Sequence, residues 1–419
     1  MAKISEFLAA RAGLLMGYGS ALSGSLGRLV FSLAYFVLLA NTLSIADFGV
    51  FATASATGVV LSRLLAFGFV SPLYRAATVK PRLVGVYAAG FLALAAVSLP
   101  LVALAGWIAH RAVFAGDMPV GSFALVIAAE ALLWRLTEAV IIVNNGMGRF
   151  GRAAVLVILG TAFRALAALV FAFAGPATLE LWAWYYIAAN GASLAVAVVF
   201  FYPGQRLRFA GRLYGRRLVD SIAVSGAEVL FYLQMELDKL LVLAFGGPQF
   251  AGVYAIVMRL VDLTAIPIRV FSMMLVQALM RSPEMLRRLW LKIGIEAGVF
   301  ALSVAALVVL VAVLHVYPGL LGDNVAEVAP IIGFALLIPG FRNLVEYQAE
   351  LLYARGQTVL RAINLALLAG AKGVLLVALL TTISGPAPLL TWLNGVFALL
   401  YLASAALTYS ALRRPARPM

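Results

Sequence analysis

The chain has 419 residues, of which 64% are hydrophobic and only 11% are charged. Soluble domains carry about 25% charged residues, so this composition excludes a soluble globular protein. The absence of Cys excludes disulfides and thiolate metal sites, and two His residues exclude a multi-histidine metal centre. A net charge of +14 would suggest nucleic-acid binding in a soluble chain, but in a membrane protein it follows from the excess of Lys and Arg in cytoplasmic loops.

Apolar stretches of about 20 residues are long enough to cross a bilayer as helices. The sequence contains about twelve of them, which predicts an all-α integral membrane protein without a soluble domain. In chain order the predicted spans are 22–43, 48–71, 84–108, 120–144, 153–174, 181–202, 219–245, 250–278, 290–314, 327–353, 358–382 and 388–411.

The distribution of Lys and Arg predicts how these spans are oriented. The N-terminus and alternate loops hold 21 of the 31 basic residues, whereas the opposite loops hold only Arg111. The opposite loops are instead short turns such as Gly175-Pro176 and Gly385-Pro386. Because cytoplasmic loops carry the excess of basic residues, this asymmetry predicts that both termini are cytoplasmic.

An internal repeat divides the chain into two halves. The segment Gly49-Val50-Phe51-Ala52 recurs as Gly252-Val253-Tyr254-Ala255, 203 residues later. Further pairs recur at offsets of 205 to 208 residues, namely His110/His315, Glu138/Glu346, Gly148/Gly356 and Arg164/Lys372. Six spans per half is an even number, so the repeats are parallel, and such transporters usually bind substrate between the halves.

The predicted domain organisation follows from this repeat. We expect an N-terminal six-helix lobe over 1–203, a basic cytoplasmic linker over 204–217 and a C-terminal six-helix lobe over 218–419.

Basic side chains inside predicted spans are expected to face a cavity or a partner, because a charge at the bilayer centre is costly. Three of them have an acid one helical turn away, a spacing that suits a helix pair, and structural pairing is predicted for Arg135 and Arg342. The three spacings are Arg135 with Glu138, Arg259 with Asp262, and Arg342 with Glu346. Five others have no acid within one turn: Arg28, Arg63, Arg164, Arg269 and Lys372.

These five cations form a ladder that rises from the cytoplasmic side towards the midplane. Desolvated cations at such depth suit a multivalent anion, and phosphate matches the donor geometry of Arg. The sequence therefore predicts a phosphate-binding set. Pairing with acids on other helices remains the alternative.

The second half holds more acids inside its spans than the first. Buried carboxylates can carry protons or bind Na+, and Glu228, Glu236 and Asp262 are the candidates for coupling transport to either ion. The sequence contains no nucleotide-binding P-loop, H-E-x-x-H or G-x-S-x-G motif, so we expect no catalytic residues, no metal site and no enzymatic activity.

Two segments carry a family resemblance. The run 236–241, followed by Gly246-Gly247 and 251–255, resembles the start of the second half of polysaccharide exporters, and 47–51 resembles its first-half counterpart. These exporters are the Wzx-type O-antigen and exopolysaccharide flippases of the multidrug/oligosaccharidyl-lipid/polysaccharide superfamily. Twelve spans in two halves with cytoplasmic termini agree with that family along the whole chain.

The resemblance implies a V-shaped, two-lobed transporter in the inner membrane of a Gram-negative bacterium. Its substrate would be an undecaprenyl-pyrophosphate-linked oligosaccharide, moved from the cytoplasmic to the periplasmic leaflet. Related lipid II flippases carry cavity arginines on spans 1, 2 and 8, and by span these match Arg28, Arg63 and Arg259. Membrane lipids, a polysaccharide polymerase and a co-polymerase are the other partners to consider, and nucleic acid is not one.

This chain departs from the lipid II branch, because it lacks two further C-terminal spans and has Lys372 in place of an acid on span 11. Two other functions stay open at this point. A cation-coupled multidrug antiporter of the same fold would need an acidic, aromatic cavity. A membrane glycosyltransferase or O-antigen polymerase would need a large periplasmic loop, and no outer loop exceeds about a dozen residues.

Overall fold

The computed structural model describes residues 27–281 and 289–413, without the side chains of 264, 266–281, 289, 353 and 354. Over these ranges the chain forms twelve long helical segments. They are α1 (Gly27–Thr42), α2 (Ile45–Ser62), α3 (Val84–Ala109, continued by His110–Phe114), α4 (120–146), α5 (Phe150–Phe173), α6 (Leu179–Val196, continued by Ala197–Phe201), α7 (211–246), α8 (248–281), α9 (Leu289–Val316), α10 (323–354), α11 (Thr358–Thr382) and α12 (Pro386–Leu412).

Helix starts follow from local sequence. Ser44 caps α2, where its hydroxyl accepts a hydrogen bond from the Asp47 backbone N–H at 3.0 Å. Thr178 caps α6 in the same way, accepting from Leu181. Pro386 begins α12, where the N–H that proline lacks would have no helical partner.

The twelve predicted spans correspond to these helices. Eight helices of the described residues are long and apolar enough to cross a membrane, and the bent pair Asp323–Ala335 and Ile338–Leu352 adds a ninth. One of the eight, Gly211–Leu263, is too long for a single crossing, and Gly247 with φ 78° breaks it between α7 and α8. The remaining segments are the shorter apolar helix α1 and the charged α4.

The internal repeat is visible in the backbone. Repeat-related turns end α4 and α10, with Gly148 at φ 73° and Gly356 at φ 69°. The same hydrogen bond closes both turns, from the residue after each glycine to the carbonyl five residues earlier. These turns require a left-handed residue, and glycine adopts that conformation without steric cost. The all-α fold with two halves, α1–α6 and α7–α12, is confirmed.

The connection between the halves is shorter than the predicted linker. Residues 203–210 lack regular helix, and α7 already begins at Gly211, so the basic residues at 212, 216 and 217 lie on its first turns. The Gln205 side chain fastens this connection to the first half, because its amide nitrogen donates to the Pro81 carbonyl at 2.7 Å. The domain boundaries themselves stay predictions.

Candidate substrate cavity

A cavity of about 610 Å³ lies between the halves. Its walls come from α1, α2, α4, α5 and α6 of the first half and from α7 and α8 of the second. The charged side chains along it are Arg28, Arg63, Glu130, Glu138, Arg164, Glu236, Lys239, Arg259 and Asp262. Aromatic rings fill much of the remaining wall: Tyr35, Phe36, Phe48, Phe51, Trp134, Tyr186 and Tyr232.

Arg63 follows the last residue of α2, and its guanidinium is buried. It donates to both carboxylate oxygens of Glu138 at 3.1 Å and lies 4.1 Å from the centre of the Tyr232 ring. Its backbone carbonyl accepts a hydrogen bond from the Ser225 hydroxyl of α7 at 2.7 Å. Arg63 therefore has a partner on another helix, the alternative that the sequence left open, because Glu138 comes from α4.

Arg135 extends this pair into a cluster that joins the two halves. Its guanidinium donates to Glu138 at 2.8 Å, which confirms the predicted pairing one turn along α4. It also donates to Glu228 of α7 at 3.0 Å. Glu228 lies 4.0 Å from Arg63, so two arginines and two glutamates neutralise one another across the boundary between the halves.

Arg164 lines the cavity from α5. Its guanidinium donates twice to the Asn190 amide oxygen, at 2.7 and 3.2 Å, and lies 3.6 Å from the Glu130 carboxylate. The Trp134 ring is 4.6 Å away, which is a favourable cation–π distance. Glu130 also accepts hydrogen bonds from Ser55 and Tyr186. Arg164 thus also has an acid from another helix, because α4 supplies Glu130.

Lys372 is not part of the cavity wall described above. It is 1% exposed and lies inside the second half, where its ammonium is 3.1 Å from Asp238 and 2.9 Å from the Gln234 carbonyl. This burial and pairing weigh against phosphate binding by Lys372, whose predicted role in the substrate site stays a prediction. Lys239, which follows Asp238 in the sequence, pairs with Glu236 instead.

Arg259 differs from these cations. It lines the cavity from α8, and its guanidinium donates to the Ser32 hydroxyl of α1. Within the described residues no carboxylate oxygen lies within 4 Å of it. The alternative pairing of Arg259 with Asp262 is not seen in the described residues, where Asp262 lies 3.4 Å from Arg342 of α10.

Two further members of the predicted set remain. Arg28 lines the cavity at the start of α1 and is exposed. The side chain of Arg269 lies outside the described residues. The ladder thus retains Arg28, Arg63 and Arg164 on the cavity wall, and Arg259 joins them there.

Each of the three predicted coupling acids has a basic neighbour. Glu228 is 3.0 Å from Arg135, Asp262 is 3.4 Å from Arg342, and Glu236 forms an ion pair with Lys239. Sequence reasoning could not find the first two partners, since each lies on a different helix.

Comparison with known proteins identifies solved structures with the same arrangement of helices. No protein-family model matches the chain, and no curated protein matches it. Among solved structures, the chain is similar to an inward-facing multidrug resistance MATE family transporter of the MOP superfamily, with 14% identity and a TM-score of 0.61, covering 92% of this chain and 95% of that one.

Two other solved structures show the same likeness. An outward-facing multidrug resistance MATE family transporter of the MOP superfamily has 12% identity and a TM-score of 0.56, over 93% of this chain and 94% of that one. A MOP superfamily transporter from Pyrococcus furiosus has 13% identity and a TM-score of 0.60, over 93% and 94%. The chain therefore has the fold of MOP superfamily transporters, with two helical halves around a central cavity.

Proposed function

We propose that the protein is a transporter of the bacterial inner membrane that moves an undecaprenyl-pyrophosphate-linked oligosaccharide from the cytoplasmic to the periplasmic leaflet. The fold supports transport by alternating access, since similar structures are described as inward-facing and outward-facing. The family resemblance of 236–255 supports the substrate class. The observation that carries the proposal is Arg259, which presents a guanidinium to the cavity without a carboxylate within 4 Å in the described chain.

The diversion of Asp262 to Arg342 makes Arg259 available for an anion. A guanidinium on a cavity wall binds phosphate through parallel hydrogen bonds, which a neutral or cationic ligand cannot match. Ser32 holds the Arg259 side chain from the opposite half, so an anion bound there would touch both halves at once. The aromatic rings along the wall, including Trp134 and Tyr232, offer apolar faces to sugar rings.

Contacts between the halves favour an inward-facing state. On the side of the short turns, the Asn41 amide donates to the Leu321 carbonyl at 2.7 Å, and Asn324 donates to the Ala40 and Leu43 carbonyls. The predicted orientation makes that side periplasmic. A cavity that is sealed towards the periplasm and carries the exposed Arg28 suits loading from the cytoplasmic leaflet.

The test is lipid flipping by purified protein in proteoliposomes. The probe is a fluorescent undecaprenyl-pyrophosphate-linked oligosaccharide, whose quenching by an impermeant reductant reports its leaflet. We expect Arg259→Ala to reduce the flipping rate at least tenfold and Arg259→Lys to reduce it less, because Lys keeps the charge but loses the paired donors. Arg212→Ala, at an exposed position on the first turn of α7, is the matched control and should flip at the wild-type rate.

Equal flipping by Arg259→Ala and wild type at matched protein levels would show that the pyrophosphate is held elsewhere. Wild-type protein that does not move the probe at all would overturn the proposed substrate.

A second candidate is a cation-coupled multidrug antiporter. Four carboxylates line the cavity, from Glu130, Glu138, Glu236 and Asp262, and structures of multidrug resistance transporters are among those similar to this chain. Transport of a lipophilic cation such as ethidium into the same proteoliposomes, driven by a pH gradient, would favour this function. Their arginine and lysine neighbours weigh against it, because most of that negative charge is neutralised.

A membrane glycosyltransferase or polymerase is disfavoured by the loops. Connections on the turn side of the described chain are short, and the longest of them, 317–322, has six residues. Such connections offer no space for a catalytic loop.

A further inference from the structure

An apolar cavity separate from the central one lies in the first half, at the end where α3 begins. It has a volume of about 200 Å³, and every side chain that lines it is apolar or aromatic. Its walls come from the short helix Val70–Val79, the start of α3 and the ends of α4 and α6. Leu207, from the connection between the halves, completes the lining. The predicted orientation makes this side of the protein cytoplasmic.

The cavity opens outwards, towards the space that lipid occupies around a membrane-spanning bundle. Leu92 of α3, Val198 of α6 and Leu207 line it and are 42%, 52% and 54% exposed. Tyr202 brings a hydroxyl group to the lining, but this hydroxyl donates to the Gln205 carbonyl at 3.1 Å. A cavity with such a lining offers water few partners and accepts a hydrocarbon chain instead.

The connection between the halves is fastened on both sides of Leu207. On one side, the Gln205 amide oxygen accepts a hydrogen bond from the Gly85 N–H at 3.2 Å. On the other side, the Tyr214 hydroxyl of α7 accepts from the Ala210 N–H at 2.9 Å and donates to a backbone carbonyl of α3. This stretch of backbone therefore has a defined position at the start of α3 before any ligand binds, which lowers the entropic cost of binding.

Two exposed arginines flank Leu207 on the fastened segment. Arg206 and Arg208 are its immediate neighbours in sequence, and neither lines the cavity. The segment lies directly on α3, since a Cβ on Gly85 would come within 2.2 Å of the Arg206 carbonyl oxygen. Guanidinium groups bind phosphate through charge-assisted hydrogen bonds, and basic groups at a membrane surface attract anionic lipid headgroups. The segment thus combines an apolar contact to the cavity with two cations beside its opening.

We infer that this cavity binds an anionic phospholipid from the leaflet on this side of the membrane. One acyl chain occupies the cavity, and Arg206 and Arg208 bind the headgroup phosphate. A zwitterionic phospholipid has the same acyl chains, but its headgroup has no net charge and gains less from two arginines. The inference does not depend on the transported substrate, because none of the residues that line this cavity lines the central one.

A lipid in this site touches both the first half and the connection that leads to α7. Leu207 forms one wall of the cavity, so a bound acyl chain holds the connection against the helices of the first half. α7 belongs to the second half and carries Glu228, which pairs with Arg135 across the boundary between the halves. The lipid is therefore placed to hold the connection while the two halves rearrange.

The test uses the purified full chain in nanodiscs of phosphatidylcholine. Each sample contains a trace of a phospholipid with a photoactivatable diazirine in its acyl chain and either a phosphatidylglycerol or a phosphatidylcholine headgroup. Mass spectrometry after illumination identifies and quantifies the labelled residues. We expect the phosphatidylglycerol probe to label the cavity residues about tenfold more than the phosphatidylcholine probe, because two arginines favour its net negative charge.

Two variants separate the two parts of the site. Arg206→Gln with Arg208→Gln should abolish the preference for phosphatidylglycerol and leave labelling by phosphatidylcholine unchanged, since the apolar cavity stays intact. Ala88→Phe fills the cavity from α3 and should abolish labelling of its lining by both probes. The arginine variant replaces exposed side chains only, so it remains informative if Ala88→Phe does not fold.

The matched control is Lys292→Gln with Arg413→Gln. It removes the same charge from the start of α9 and the end of α12, which lie in the second half. Its preference for phosphatidylglycerol at the cavity should equal that of the wild type. Loss of the preference in this control would show that net charge, rather than the two arginines beside Leu207, selects the lipid, and would overturn the inference.

Three further results would overturn it. Equal labelling of the wild-type cavity by the two probes would show contact with lipid without recognition of a headgroup, and no labelling by either would show that no phospholipid enters. A preference that persists in the arginine variant would assign the headgroup to other residues. Displacement of the probe by undecaprenyl phosphate, but not by unlabelled phosphatidylglycerol, would assign the cavity to a lipid carrier instead. None of these readouts requires transport, so failure here is distinguishable from failure of the proposed substrate.

Discussion

Gly49 of α2 and Gly252 of α8, which occupy the same place in the two repeats, face each other across the boundary between the halves. A Cβ on Gly49 would overlap the backbone nitrogen of Gly252, and a Cβ on Gly252 would overlap the Ile45 carbonyl oxygen. Both collisions involve backbone atoms, which cannot turn aside as a flexible side chain can. Only glycine at both positions allows the two helices to approach this closely.

This contact predicts that a larger residue at either position will separate the two halves. We expect Gly49→Val or Gly252→Val to disfavour the state seen here and to separate the halves on the turn side. Because the chain has no natural cysteine, spin labels can be attached at Ser44→Cys and Asp323→Cys, two exposed positions in different halves. Double electron–electron resonance measures the distance between the two labels. It should report one short distance in the parent protein and a longer, broader distance distribution in the Val variants.

The matched control for this experiment is Gly121→Val. A Cβ at Gly121 meets no atom within 4 Å, although this residue lies near the start of α4, on the turn side of the protein. Its distance distribution should equal that of the parent. An unchanged distance distribution in Gly49→Val would show that the boundary between the halves tolerates a side chain. The glycine contact would then not control the separation of the halves.

The buried ion pair between Lys372 and Asp238 predicts that its removal lowers the stability of the protein without changing substrate affinity. Both are 1% exposed, and Asp238 also accepts a hydrogen bond from the Tyr254 hydroxyl at 2.5 Å. Lys372→Met leaves a buried carboxylate without its cation, which should cost about 3–5 kcal/mol of the free energy of unfolding. Lys372→Met combined with Asp238→Asn should recover most of that loss in denaturation followed in detergent.

The same variants test the predicted phosphate-binding role of Lys372. The double variant should bind the pyrophosphate probe with wild-type affinity, because the ion pair lies outside the cavity wall. A tenfold weaker affinity in a stable double variant would return Lys372 to the substrate site.

The ion pairs of Glu228 and Asp262 predict that neutralising these acids will not abolish the coupling of transport to an ion gradient. Glu228 and Asp262 each neutralise an arginine, Arg135 and Arg342 respectively, so their removal should unbalance a charge cluster rather than remove a carried ion. We expect Glu228→Gln and Asp262→Asn to lower stability yet keep the response of flipping to imposed pH or Na+ gradients. Loss of the gradient response in a folded variant would restore these acids as coupling residues.

The orientation of the chain predicts the outcome of reporter fusions. Fusions after Arg217 and after Met419 should report the cytoplasm, and fusions after Gly247 and Pro386 should report the periplasm. A periplasmic signal after Met419 would require an odd number of spans and would contradict two parallel halves.

The fold could be predicted from sequence because its determinants are local or compositional. Apolar length predicts each span, and the left-handed glycines at 148 and 356 mark equivalent turns in both halves. Arg135 and Glu138 could be paired from spacing alone, since residues three apart on a helix are neighbours whatever packs around them.

The partners of the other charges were decided only by the tertiary structure. Spacing along one helix left Asp262 as a possible partner of Arg259, whereas packing of α10 against α8 brings Arg342 to Asp262 and leaves Arg259 to the cavity. Lys372 looked like a free cation until α7 placed Asp238 beside it. Sequence determines which helices form and which carry charge, but the rotation of each helix about its axis decides which charges meet. That rotation is set by side-chain packing among all twelve helices at once.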